Sequence, residues 1–213
     1  MSMDRRGILV VVSGFSGAGK GTIMKRLLAQ YRNQYALSVS ATTRRPREGE
    51  AHGREYFFVS VDEFESMIAK DELIEYAKYV NNYYGTPRTY VEQHLELGMD
   101  VILEIEIQGA LKVKKKYPDA LLLFVAPPSA TELKRRLEER GTEDEAAINS
   151  RLSRAVEESV GIEEYDYYIV NDDLEECVTR VHSIIEGEHA RVTRNLSTIE
   201  KMKQELSCFA KGE

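Results

Sequence analysis

The chain has 213 residues, 42% of them hydrophobic and 31% charged, and its 29 Lys and Arg against 36 Asp and Glu leave a net charge of −7. That length suits one α/β domain with insertions and a sizeable core, and the acidity excludes general binding to nucleic acid or to an anionic membrane, so any basic site must be local. No apolar run reaches bilayer-spanning length, and Met1 to Arg6 lacks the pattern of a signal peptide.

Ile8 to Val12 is an apolar run that reads as a buried strand, and Ser13-Gly14-Phe15-Ser16-Gly17-Ala18-Gly19-Lys20-Gly21-Thr22 follows it directly. A helical pattern from about Lys20 to Tyr31 comes next, with Ile23, Leu27 and Leu28 on one face. Strand, glycine-rich loop and helix in that order form the context of a phosphate-binding P-loop. Gly14, Gly17 and Gly19 let backbone N–H groups turn inward toward an anion. Lys20 reaches the outer phosphates. The residue after the lysine is Gly21 where the strict pattern has Ser or Thr. Thr22 is therefore a candidate for either Mg²⁺ or a phosphate.

Ala36 to Ser40 alternates and reads as a second strand. Residues 42–56 are polar, punctuated by Pro and Gly, and hold Arg44, Arg45, Arg47 and Arg54 in an otherwise acidic chain. Tyr56 to Val59 reads as a strand, and Ser60 to Lys70 as a helix with a Ser60/Glu63 capping box. Leu73 to Tyr79 and Asn81 to Thr86 read as short strands or loops. Residues 41–86 are thus expected to form a small inserted substrate domain, with the core in 1–40 and 87–213.

Pro87 to Leu97 reads as a helix stopped by Gly98, Asp100 to Ile107 as a strand carrying Glu104 and Glu106 on one face, and Gln108 to Lys116 as a helix. Ala120 to Val125 is a fully apolar strand, as expected inside a parallel sheet covered on both faces. Ser129 to Glu139 is a helix capped by Ser129 or Thr131. The charged stretch from Arg140 to Glu164 is a loop plus a solvated helix, and 127–160 is a candidate lid. Tyr167 to Val170 is the last strand, Leu174 to Glu186 the last core helix, and His189 to Leu206 an amphipathic helical tail. The alternation predicts an α/β fold: a mostly parallel five-stranded sheet with helices on both faces, plus the insertion and the lid. Cys177 and Cys208 lie in no C-x-x-C pattern, which suits a reducing compartment without a disulfide. His52, His94, His182 and His189 lack metal-ligand spacing, so no zinc site is expected.

The P-loop binds a nucleoside triphosphate, but a GTPase would need Asn-Lys-x-Asp, which is not found in the sequence, and an Asp-x-x-Gly switch, which is not found after the P-loop. The arginine-rich insertion supplies a second anion site. Arginine's planar fork suits phosphate, and Tyr56 and Tyr84 add hydroxyl donors. Glu104 has a Walker-B-like position suited to Mg²⁺ or its waters. Arg135, Arg136, Arg140, Arg151 and Arg154 read either as a wet helix face paired with Glu138, Glu139, Glu143 and Glu145, or as arginines that a lid swings onto a triphosphate. Two phosphate sites in one small chain point to phosphoryl transfer between two phosphorylated molecules.

The chain resembles the guanylate kinase family of nucleoside monophosphate kinases over about residues 7–187, with the P-loop NTPase fold that this implies. The resemblance rests on Gly14-Phe15-Ser16-Gly17-Ala18-Gly19-Lys20, on 38–47, on Asn82-Tyr83-Tyr84-Gly85-Thr86, on Glu104-Ile105-Glu106-Ile107-Gln108-Gly109, on 140–142 and on Ile169-Val170-Asn171-Asp172. It implies the reaction ATP + GMP ⇌ ADP + GDP with Mg²⁺. Arg44, Arg47, Tyr56 and Tyr84 would then hold the GMP phosphate, and Ser40, Glu75, Thr86 and Glu106 would surround guanine, with Glu104 nearby. An ionised Glu75 accepts from guanine N1–H and N2–H₂, whereas adenine would set a lone pair against it. Gly14, Ser16, Gly17, Ala18, Gly19, Lys20, Gly21, Thr22, Arg136, Arg140 and Asn171 match the ATP site. Asn171 matches a residue near adenine, while Asp172 or Asp173 serves equally as a helix cap. The catalytic set is Lys20, Arg44, Arg136, Arg140 and Arg151, and the metal candidates are Thr22 and Glu104, directly or through water. GMP, dGMP and ATP are the implied small-molecule partners, with no nucleic acid and no membrane, in the cytoplasm. Glu106 stands where some members have Asp, and Phe15 replaces a common Pro. The rivals are a non-catalytic guanylate-kinase-like module that binds a phosphorylated peptide and a sugar-phosphate kinase on the same fold. The motifs leave the tail from about His189 and the choice between monomer and homo-oligomer open.

Overall fold

The computed structural model describes residues 5–79, 81–139 and 145–211. In chain order the elements are β1 (Leu9–Gly14), α1 (Lys20–Gln30), β2 (Tyr35–Leu37), β3 (Ala41–Thr42), β4 (Phe57–Phe58), α2 (Val61–Ala69), β5 (Leu73–Tyr79), β6 (Asn82–Pro87) and α3 (Arg88–Glu96). They continue with β7 (Asp100–Glu104), α4 (Ile107–Lys116), β8 (Leu121–Ala126), α5 (Ala130–Glu139), α6 (Glu145–Glu158), β9 (Tyr167–Val170), α7 (Leu174–His189) and α8 (Leu196–Lys211).

Five strands form one sheet in the order β2-β7-β1-β8-β9, and all its ladders are parallel. The central strand β1 is apolar at every position from Leu9 to Val12 because both of its faces are covered. Val10 and Val12 face α1 and α7, where Ile23, Leu27, Val178, Val181 and Ile185 pack. Leu9 and Val11 face α3 and α4 through Val91, Leu95, Ala110 and Val113. The P-loop leaves the carboxyl end of β1 between β7 and β8, the place where open α/β sheets bind ligands.

A second sheet, β4-β3-β6-β5, is antiparallel except where β3 meets β4. Helix α2 covers it with Phe64, which is fully buried and stacks on Tyr83 at 5.1 Å. The capping box expected for α2 is present: Ser60 accepts from Glu63 N, and the Glu63 carboxylate accepts from Ser60 N.

Three elements differ from the sequence-based expectation. Of the strand expected at 36–40 only Ala36 and Leu37 lie in a strand, β2, because Ser38, Val39 and Ser40 carry the chain from one sheet to β3 in the other. The strand expected through Ile107 stops at Glu104. Glu106 is the N-cap residue of α4, so the two acids are not same-face neighbours of one strand. The tail is not one helix running on from His189. The Asn195 amide ties up the His189 and Arg191 carbonyls at the end of α7, Arg194 donates to Asp119 O at 2.7 Å, and α8 starts afresh.

At the amino ends of the core strands Asp100 is buried, accepting from Ile8 N at 2.7 Å and pairing with His189 at 2.8 Å. Arg5 lies 4.0 Å from Asp100 and 3.6 Å from Glu186. No helix among the described residues is long and apolar enough to cross a membrane.

Candidate active site

The P-loop owes its shape to three glycines in the left-handed region or at its margin, Gly14 at φ 152°, Gly17 at 100° and Gly19 at 92°. At Gly14 a Cβ would lie 2.0 Å from Val125 O, so only glycine lets β1 and β8 run side by side to this point. Lys20 opens α1, and its ammonium folds back to donate to Gly14 O at 2.6 Å and Phe15 O at 3.2 Å. Burial lowers the Lys20 pKa, while Glu104, Glu106 and Glu158 nearby favour its charge. Glu104, beside Val12 in the ladder, is open to solvent yet recessed among protein atoms. That desolvation raises its pKa against the pull of Lys20, and Glu106 adds to the rise.

Asn171 holds the loop from the other side. Its amide donates to Ala18 O at 2.8 Å, at 7% exposure. Of the two acids that follow it, Asp173 is the cap of α7 and accepts from Glu176 N. Arg136 on α5 donates to Asn171 O at 2.9 Å and pairs with Glu132 at 2.7 Å. The partner expected for Arg135 and Arg136 among Glu138 and its neighbours is thus chiefly Glu132, one turn back on α5, although Arg135 also meets Glu139.

Helix α6 lies across the mouth of the loop. Arg151, Arg154 and Glu158 share one of its faces by their i, i+3, i+7 spacing. Arg151 donates to Ser16 Oγ at 3.1 Å. Glu158 accepts from Ser16 N at 3.3 Å, and burial together with Glu106 raises its pKa. Arg154 meets Glu158 at 3.1 Å and Glu106 at 3.3 Å. Thr22 is exposed on the first turn of α1. Arg140 lies outside the described residues.

In the second sheet Arg44, Tyr56 and Tyr84 come together. The Arg44 guanidinium lies 5.3 Å from the Tyr56 ring, and the two tyrosine rings are 5.9 Å apart. Glu50 joins them: it pairs with Arg44 at 2.9 Å and accepts from Arg47 N at 2.7 Å, and its hydrogen bond raises the Arg44 pKa. The Arg47 side chain itself is exposed, and Ser40 is half-buried. Glu75 and Thr86 pair at 2.9 Å where the β5–β6 register shifts, and both are buried. Burial raises the Glu75 pKa, with Thr86 and then Lys112 opposing. Its other oxygen faces α4 at Gly109, where a Cβ would come within 3.1 Å.

Sequence reasoning missed Glu50, Gly109 and Glu158. Only for Glu50 did a local signal exist, three residues from Arg47 in the arginine-rich run. Gly109 and Glu158 act across 34 and 142 residues, on Glu75 and Ser16.

The family model described as Guanylate kinase matches residues 6–188. The chain is 50% identical over 200 residues to the guanylate kinase of Latilactobacillus sakei subsp. sakei strain 23K, covering 94% of this chain and 98% of that one. It is 47% identical over 205 residues to the guanylate kinase of Caldanaerobacter subterraneus subsp. tengcongensis, covering 96% and 99%. The crystal structure of guanylate kinase from Anaplasma phagocytophilum superposes with a TM-score of 0.72 at 33% identity, covering 90% of this chain and 91% of that one.

Proposed function

This chain belongs to the guanylate kinase family and is an ATP:GMP phosphotransferase, and on that premise we propose how its residues divide the work. GMP lies on the second sheet. Arg44, Arg47, Tyr56 and Tyr84 take its phosphate, and Glu75, Thr86, Ser40 and Glu106 take guanine. The observation that carries this reading is the buried Glu75, held by Thr86 through one oxygen and left with the other as an acceptor. A buried acceptor of this kind rejects a base that cannot donate to it.

ATP lies on the P-loop, with its phosphates on the backbone of 16–22 and on Lys20, Arg136, Arg140 and Arg151, and with Asn171 securing the loop. An oxygen of the GMP phosphate attacks the γ-phosphorus, the bond from γ-phosphorus to the bridging oxygen breaks, and ADP leaves. Neither a covalent enzyme intermediate nor a protein nucleophile is needed, so catalysis is positioning plus cationic stabilisation. Lys20, Arg44 and the lid arginines supply that charge. Thr22 and Glu104 would hold Mg²⁺, which supplies further neutralisation of the triphosphate. Both are solvent-accessible oxygen donors, and Gly21 offers no hydroxyl, so this donor set fits an ion that keeps most of its water.

The division of labour follows the chain: 1–40 and 87–213 as the P-loop core, 41–86 as the GMP-binding insertion and 127–160 as the lid. dGMP is accepted as a second substrate. The two free cysteines, Cys177 and Cys208, suit the cytoplasm. The test is ADP formation from ATP and Mg²⁺ with GMP, dGMP, AMP, CMP and UMP offered separately. The expected result is turnover with GMP, less with dGMP and negligible turnover with the rest. Equal turnover with AMP would refute the guanine role of Glu75.

A further inference from the structure

Three groups form a continuous polar path from the acceptor side to the P-loop. Glu106 stands at the start of α4, next to the carboxyl end of β7. Arg154 pairs with it through Nη2 at 3.3 Å and with Glu158 through Nε at 3.1 Å. Glu158, whose side chain is 9% exposed, accepts the Ser16 N–H of the P-loop at 3.3 Å. The outer end of the path is 67% exposed at Glu106 and the inner end is nearly closed. An exposed ion pair alone is worth little, but here a single guanidinium lies between two carboxylates and turns a different nitrogen to each.

We propose that Arg154 is a positioning residue that couples the two nucleotide sites, balancing Glu106 on the acceptor side against Glu158 on the triphosphate side. This rests on the placement of GMP at Glu106 and of ATP on the P-loop. Glu158 occupies a P-loop donor and stands where an incoming anion must go. Guanine donors that engage Glu106 release Arg154 from it. The guanidinium then shifts toward Glu158 and draws it off Ser16 N, which becomes free for the triphosphate. Linkage makes the effect reciprocal, so ATP entering first frees Glu106 for GMP. Arg151, on the same face of α6 and bonded to Ser16 Oγ, follows the helix as this contact changes.

The test is calorimetric titration of GMP, of the non-hydrolysable β,γ-methylene analogue of ATP, and of each in the presence of the other. In the wild type each nucleotide is expected to tighten the other by about 5-fold or more. In Arg154→Met the ratio of affinities with and without the second nucleotide is expected to fall to about one, with the nucleotide-free melting temperature unchanged. Glu158→Gln should remove the same coupling, and the double variant should lose no more than either single one. Arg154→Lys, which keeps the charge but not the fork, should also lose coupling, so the proposal stands or falls even where the methionine variant does not fold. Undiminished coupling in these variants, or no coupling in the wild type, would overturn the bridge while leaving both sites in place. A wild type that does not bind GMP at all would overturn the acceptor site and the bridge together.

Discussion

Glu75 carries opposing demands. The proposed contact with guanine requires it ionised, yet burial raises its pKa, so the folded protein bears a cost for that charge. For a carboxyl whose folded pKa lies above its unfolded value, stability is lost as pH rises through the folded pKa. Glu75→Gln is therefore expected to melt higher than wild type at neutral pH, while kcat/KM for GMP drops on the order of 10- to 100-fold. The same shift sets a pH signature. KM for GMP should climb as pH falls, starting above the range of an ordinary carboxyl near about 4.3, and the climb should vanish in Glu75→Gln. A wild-type profile flat down to that range would contradict the assignment. Lys20 gives the complementary case, since Lys20→Met should lower kcat by about 10²- to 10³-fold with GMP affinity unchanged, as titration of GMP alone would show. Lys20 was legible from its own surroundings, because three glycines fix its place, whereas Glu75 came only through the family resemblance, since nothing local to it marks a base-reading carboxylate. Glu158 was not legible, since its place at Ser16 depends on how α6 crosses the P-loop.

At the scale of elements, local chemistry decided what was readable. The Ser60/Glu63 box marked the start of α2 because both of its hydrogen bonds close within one turn. Ser60→Ala removes one of them and should cost about 1 kcal/mol, visible as a lower urea midpoint with an unchanged slope and an unchanged kcat, because α2 covers the second sheet from outside. The end of β7 was not readable in the same way. Ile105 and Ile107 continue the alternation of the strand, but Ile107 already belongs to α4, where it packs with Phe124. Alternation of apolar residues cannot mark a strand-to-helix junction that keeps the same phase across it. The consequence is geometric: Glu106 is thereby placed at a helix start within reach of Arg154.

For the whole molecule, the parallel sheet was readable because buried strands are apolar throughout and helices alternate with them. The strand order, with β7 between β1 and β2, was not, because register across β1 and β7 spans some ninety residues. The tail was misread for a related reason: its periodicity is helical on both sides of Asn195, and only the three-dimensional contacts of Arg194 and Asn195 show the break. Those contacts divide the tail energetically. Up to Asn195 it is tied to Asp119, Glu188 and the end of α7. Beyond it every residue from Leu196 to Phe209 except Ile199 is exposed, including Leu196, Met202, Leu206 and Phe209. Stability follows buried apolar area, so the two parts should respond differently to removal. A chain ending after Asn195 is expected to keep its melting temperature and its kinetic constants for ATP and GMP. A chain ending after Glu188 loses the His189–Asp100 pair and the Arg194 contacts, exposes the amino ends of the core strands, and should melt well below wild type. Differential scanning calorimetry of the two truncations decides the matter: equal destabilisation by both would mean that α8 contributes to the fold through its apolar face, against the exposure that this face shows.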